Sequence, residues 1–171
     1  MSRRSPRLIT GADLAHLSQI AREDREEIFA RNPRWALYRN RLICVALCQG
    51  AALHYVDGKN GVKDFDVWTF LAATPKRPYP DPALYRRNRH VDFGSSKFGK
   101  GDDPRYAHFV GRTVDLLSDS LQAGPNADPG KAIRAWLSQP TRDSPRYLAE
   151  KAVVLIDPEP QRGRVIWPAS A

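Results

Sequence analysis

Apolar residues recur at helical spacing through Leu14, Leu17, Ile20, Ala21, Ile28 and Phe29, with charged residues between them, which predicts an amphipathic helix. Thr10 stands where an N-cap belongs, with Asp13 three residues on in capping-box position. Asn32-Pro33 ends the helix, because the residue before proline is pushed out of helical geometry. Residues 1–9 precede this pattern and read as a flexible basic arm. From Leu42 to Leu47 the chain is continuously apolar and partly β-branched. Periodicity does not separate a buried strand from a buried helix in such a run. A strand is expected here because the run leads into Gln49-Gly50 and small residues, with a short helix following over 51–56. Asp57-Gly58 and Asn60-Gly61 are turn signals. The segment Val62–Ala72 then alternates, with Val62, Asp64, Asp66 and Trp68 against Lys63, Phe65, Val67 and Thr69. Its β-branched and aromatic content predicts a second strand.

Residues 74–82 carry four prolines and read as a loop. A strand ending in a glycine-rich turn is expected over Arg89–Gly99 and another strand over Phe109–Leu117. Helices are expected over Pro129–Leu137 and Arg146–Leu155, and an irregular tail after Asp157. The resulting expectation is an α+β fold. A mixed β-sheet core over 10–123 is flanked by helices, and residues 124–171 form a short helical C-terminal segment and tail packed on that core.

A length of 171 residues, with 42% hydrophobic and 27% charged content, fits one globular domain with its own core. No apolar run approaches the roughly 18–20 residues that span a bilayer. No apolar stretch follows the basic N-terminus as a secretory signal requires, so a cytoplasmic location is expected. Cys44 and Cys48 are too few for a structural zinc site and read as buried thiols. The net charge of +8 favours anionic partners such as a nucleotide or RNA. Arginines gather at Arg3, Arg4 and Arg7, at Arg31, Arg34, Arg39 and Arg41, and at Arg86, Arg87 and Arg89.

The chemistry concentrates in Asp64-Phe65-Asp66. Carboxylates at i and i+2 of a strand point to one face, where their charges repel and neither is easily buried. A hard divalent cation resolves that conflict, and Mg²⁺ is typically held by one or two carboxylates plus substrate phosphates. The turn at Gly50 and Ala51 offers backbone N–H groups at a helix start to a phosphate. A third carboxylate would complete a site for two metals roughly 3.5–4 Å apart. Asp115, in Arg-Thr-Val-Asp-Leu-Leu, is preferred for this role, with Asp92 as runner-up. Lys63 beside the pair and Arg112 near Asp115 are candidate phosphate contacts.

An apolar strand, a glycine turn at Gly50-Ala51, a short helix, Asp64-Phe65-Asp66 about fourteen residues on, and the later Asp115 resemble the DNA polymerase β-like nucleotidyltransferases. The likeness covers residues 42–117. It is similar in outline to the minimal and toxin-type members, which include abortive-infection proteins of toxin–antitoxin systems. The resemblance implies transfer of a nucleoside monophosphate from an NTP to an RNA, protein or small-molecule acceptor, with one or two Mg²⁺ ions. Ala51 departs from the family, in which serine is common at that turn position. Two other readings share the same features: a non-catalytic binding module of this fold, and a metal-dependent nuclease. Gly94-Ser95-Ser96-Lys97 with Gly99-Lys100-Gly101 lacks the P-loop spacing and reads first as a turn. His54 reads as a packed helix histidine, and Trp68 and Phe70 as core aromatics.

Overall fold

A computed structural model of the protein describes residues 7–59, 61–78, 89–94, 98, 111–139 and 142–168. Helix α1 (Gly11–Arg31) begins on the expected capping box. The Thr10 side chain accepts from the Asp13 backbone, and the Asp13 carboxylate accepts from the Thr10 N–H at 2.8 Å. Asn32 caps its C-terminus, and a 3-10 segment (Pro33–Tyr38) buries Trp35 and Tyr38 against Phe29 and Leu71.

Strand β1 (Leu42–Cys48) is buried from Ile43 onward and runs into α2 (Gln49–Asp57). Gly58, in the left-handed region at φ 64°, stops α2, a conformation glycine adopts without steric penalty. β2 (Asp64–Ala72) returns antiparallel beside β1. β3 (Arg89–Asp92) and β4 (Thr113–Leu121) follow, then α3 (Pro129–Leu137), α4 (Asp143–Leu148), β5 (Val153–Asp157) and β6 (Val165–Trp167). Among the described residues these strands form one six-stranded sheet in the order β3-β4-β2-β1-β5-β6. Only the β2–β4 pairing is parallel within it; the other pairings are antiparallel. The architecture is therefore the α+β fold with a mixed sheet that the sequence predicts.

The sheet is covered on both faces. On one, Val45, Leu47, Phe65, Val67, Val114 and Val154 pack with Leu14, Leu17 and Ala21 of α1 and Ala51 and Ala52 of α2. On the other, Cys44, Ala46, Trp68, Phe70 and Leu155 pack with Ile133 and Trp136 of α3 and Leu148 of α4. This two-sided burial explains why β1 reads as an unbroken apolar run.

It also explains two corrections at the C-terminus. The helix expected over Arg146–Leu155 ends at Leu148, and the chain re-enters the sheet as β5. Ala152 to Ile156 are all buried, with Val153 and Leu155 facing α3 and Val154 and Ile156 facing α1. A short strand buried on both sides carries no polar alternation to mark it. The tail is likewise not irregular, since Val165–Trp167 pairs with β5 as an edge strand. The strand expected to end at Leu117 continues to Leu121, because Ser118 and Ser120 pair in register with Thr69 and Leu71 of β2. Residues 109 and 110, where it was expected to begin, lie outside the described residues.

Since β5 lies inside the sheet, its side chains carry stability. Leu155→Ala is expected to lower the unfolding free energy by about 2–4 kcal/mol. Val56→Ala, on the exposed side of α2, should change it by less than about 0.5 kcal/mol. Urea denaturation of the two variants checks both values.

Candidate functional site

The strand spacing places Asp64 and Asp66 on one face of β2, and the sheet brings them their third partner. β4 runs parallel to β2 with Asp115 directly opposite Asp66 and Thr113 opposite Asp64. One ligand oxygen from each of Asp64, Asp66 and Asp115 lies within 4.8 Å of the others. All three are partly buried. They sit at the end of the sheet where β1 gives way to α2, with Cys48 paired to Asp66.

This crowding shows in their protonation. Burial first, then the charges of Asp64 and Asp115, push the Asp66 carboxyl up to about 7. Asp64 is raised as well, by burial and then by Asp115, while Lys63 and Lys151 oppose the rise. Burial and the Asp66 charge hold the Cys48 thiol well above its ordinary range, so it stays a neutral wall of the site. The donor set consists of hard carboxylate oxygens with excess negative charge, which fits Mg²⁺ and not a soft metal.

Burial alone does not single out this place. Asp119, on the same face of β4, is the more buried carboxylate at 4% exposure. No second acid acts on it among the described residues; the Ser120 N–H donates to it at 2.7 Å and Arg142 lies 3.4 Å away.

The remaining sequence-derived candidates divide. Asp92 does not join the cluster. It is exposed on β3, where it takes the Arg112 guanidinium through Nε at 2.9 Å and Nη2 at 2.8 Å, and the Gly94 N–H at 2.7 Å. Arg112 is therefore held by Asp92. Lys63 is exposed and acts on Asp64 through its charge. Gly50 lies in the first turn of α2, whose N-cap makes no side-chain hydrogen bond. Gln49, between β1 and α2, has a positive φ of 61°, a strained conformation of the kind found beside functional sites. Ala51 turns its methyl into the α1-side core at 2% exposure. A hydroxyl at that position would enter apolar surroundings, so residue 51 can offer a ligand only its backbone.

Of the glycine-rich stretch, residues 95–97 and 99–101 lie outside the described residues, as do Arg3, Arg4, Arg86 and Arg87. His54 is buried, with Nε2 bonded to the Arg7 carbonyl at 2.8 Å. The second arginine group is partly engaged in the fold. Arg41 donates to the Ala72 and Ala73 carbonyls, Arg31 pairs with Glu27, and Arg34 lies over the Trp35 ring together with Arg77.

Two residues at the site were not among the candidates. The His90 Nδ1–H donates to Asp115 Oδ1, which orients that carboxylate as outer partners orient metal-binding groups. His90 stands two residues before Asp92 on the same strand face, so the Arg-His-Val-Asp alternation carried that signal. Lys151 acts on both Asp64 and Asp66 through its charge. It lies just before β5, and nothing local marks its approach to the site. No helix is long and apolar enough to cross a membrane among the described residues. No family profile, curated protein or solved structure compared with this chain matches it.

The raised Asp66 pKa makes the metal-free protein sensitive to pH. Between the ordinary carboxyl value of 3.8 and about 7, the folded state keeps a proton that the unfolded state releases. Stability therefore falls as pH rises through this window. Asp66→Asn should remove this part of the slope and be more stable than wild type above pH 7 by about 1–3 kcal/mol. Urea denaturation in EDTA across pH 5–8 measures the difference.

Proposed function

We propose that the protein is a Mg²⁺-dependent nucleotidyltransferase that moves a nucleoside monophosphate from an NTP to a hydroxyl of an RNA, protein or small-molecule acceptor. The observation that carries this reading is the convergence of Asp64, Asp66 and Asp115 within 4.8 Å beside the start of α2. Mg²⁺, when bound, would supply charge neutralisation for the phosphates and for the oxygens that enter and leave.

Asp64 and Asp66 would hold it, with Asp115 as the third ligand or as the acceptor of the hydroxyl proton. His90 keeps Asp115 in one orientation. The backbone N–H groups at Gly50 and Ala51 face the phosphates. The acceptor oxygen forms its bond to the α-phosphorus as the bond to the α–β bridging oxygen breaks. Pyrophosphate leaves, and the hydroxyl proton passes through the carboxylate to water. The protein's contribution is positioning and fixed charge, as in other phosphoryl transfers. The cytoplasm, where NTPs and Mg²⁺ are abundant, is the compartment that goes with this reading, and the arginine-rich surface suits an RNA acceptor or partner.

Incubation with each α-labelled NTP, Mg²⁺ and cell extract tests the proposal. Wild type should transfer label to an acceptor and release pyrophosphate. Asp64→Asn and Asp115→Asn should each reduce transfer by about 10²-fold or more while keeping the fold, and Asp92→Asn should leave it unchanged. Label transfer by none of the four NTPs, with Mg²⁺-dependent cleavage of nucleic acid instead, would replace this reading with the nuclease. Neither activity would replace it with a binding module.

A further inference from the structure

Asp119 lies four residues beyond Asp115 on β4, about 13 Å away at the rise of a strand. Leu117 and, opposite it on β2, Trp68 stand between the two acids. Asp119 lines a separate cavity of about 550 Å³ with Ala73, Pro75, Pro78, Gln122 and Arg142, a volume usual for small-molecule sites. One wall is fixed by the fold. The Ala73 N–H donates to the Leu121 carbonyl at 2.8 Å, and Arg41 Nη2 donates to the Ala73 carbonyl at 2.9 Å.

The fold itself gives little reason for an acid here. Leu117 and Leu121, on the same face of β4, pack into the core shared with α3. Asp119 is 4% exposed, and a carboxylate that deep is costly unless closely paired. Arg142 Nη2 stands 3.4 Å from Oδ2 on a half-exposed side chain, longer than a good charge-assisted hydrogen bond. Trp136 adds a second observation. Its indole N–H is buried with no hydrogen-bond partner among the described residues, although it lies near enough to act on the Asp119 carboxylate. Buried polar groups are rarely left so incompletely satisfied.

The remaining hydrogen-bond capacity has a pattern. An ionised carboxylate offers about four acceptor positions. The Ser120 N–H takes one on Oδ1 and Arg142 approaches one on Oδ2, which leaves one on each oxygen. Two acceptors side by side match two parallel N–H donors, and Arg142 extends the row with a donor beyond Oδ2. The complementary edge reads N–H, N–H, C=O, which is the edge of a 2-amino-4-oxopyrimidine ring. Asp119 and Arg142 cancel in charge, which favours a neutral heterocycle over an organic cation, and Pro75 and Pro78 offer apolar surface to a planar ring.

We infer that this cavity binds a small molecule carrying a 2-amino-4-oxopyrimidine ring, the chemistry shared by guanine nucleosides and pterins, with Asp119 accepting its two N–H groups and Arg142 donating to its carbonyl. The inference is independent of the nucleotidyltransferase reading. Calorimetric titration of the full chain in EDTA tests it without a cation on the other acids. Guanosine or pterin should bind, and inosine and lumazine, which lack the 2-amino group, should each bind about tenfold or more weakly than their parents. Guanosine bound without pterin identifies a nucleoside site, and the reverse a pterin site; either supports the inference. Asp119→Asn keeps an oxygen for the Ser120 N–H but sets an NH₂ against the ligand's ring N–H. It should weaken binding about tenfold or more with no loss of melting temperature. Arg142→Gln, changed at a half-exposed side chain, should weaken it about fivefold and serves if Asp119→Asn does not fold. Binding of neither parent, equal binding of the analogues, or wild-type affinity in a folded Asp119→Asn would overturn the inference and leave the reading of Asp64, Asp66 and Asp115 untouched.

Discussion

The parallel pairing of β2 with β4 is the constraint on which the rest depends. It sets Asp115 opposite Asp66, and the pleat adds Asp64 on the same face. The backbone pairing then sets three acids side by side, with one oxygen of each within 4.8 Å of the others. A flexible loop carrying three acids would let them separate. Here separation would require breaking the sheet, and the apolar layers on both faces oppose that. The repulsion is stored, and it appears as the raised carboxyls of Asp64 and Asp66. Low-dielectric surroundings magnify the repulsion without metal and the attraction to a cation alike.

The charges around this cluster have an order. His90 ties down Asp115 from the edge strand, and Cys48 closes the inner side as a neutral group. Lys63 and Lys151 approach from outside and soften the repulsion without entering ion pairs with the acids among the described residues. Asp92 and Arg112, which look similar in the sequence, neutralise each other on the exposed edge and contribute no net charge to the cluster. The difference between Asp92 and Asp115 is one of register. Asp92 stands opposite Thr113, one strand further out and two residues away along β4.

Legibility in the sequence followed the range of the interactions involved. The capping box at Thr10, the left-handed stop at Gly58, the i, i+2 aspartates and the amphipathic helix over Pro129–Leu137 are local, and each has a local signature. β5 does not, because a strand buried on both faces looks like any apolar run, and Arg146–Lys151 before it is rich in helix formers. With β5 unseen, Lys151 had no address, since only pairing with β1 carries it to Gly50. The inward turn of the Ala51 methyl was hidden for a related reason: which side of a two-turn helix meets the core depends on where α1 packs. His90 is intermediate, for its strand face was legible but its partner across the β3–β4 pairing was not.

The proposed chemistry requires that Asp64, Asp66 and Asp115 together hold a hard divalent cation. The most direct measurement is the melting temperature of the metal-free protein near pH 7.5 with and without millimolar Mg²⁺, in wild type and in Asp66→Asn. A cation bound only by the folded state stabilises it by mass action. A cation held by the three carboxylates should raise the wild type by several degrees, about 1–3 kcal/mol in stability, and the variant little or not at all. No rise in wild type, or an equal rise in both proteins, would contradict it.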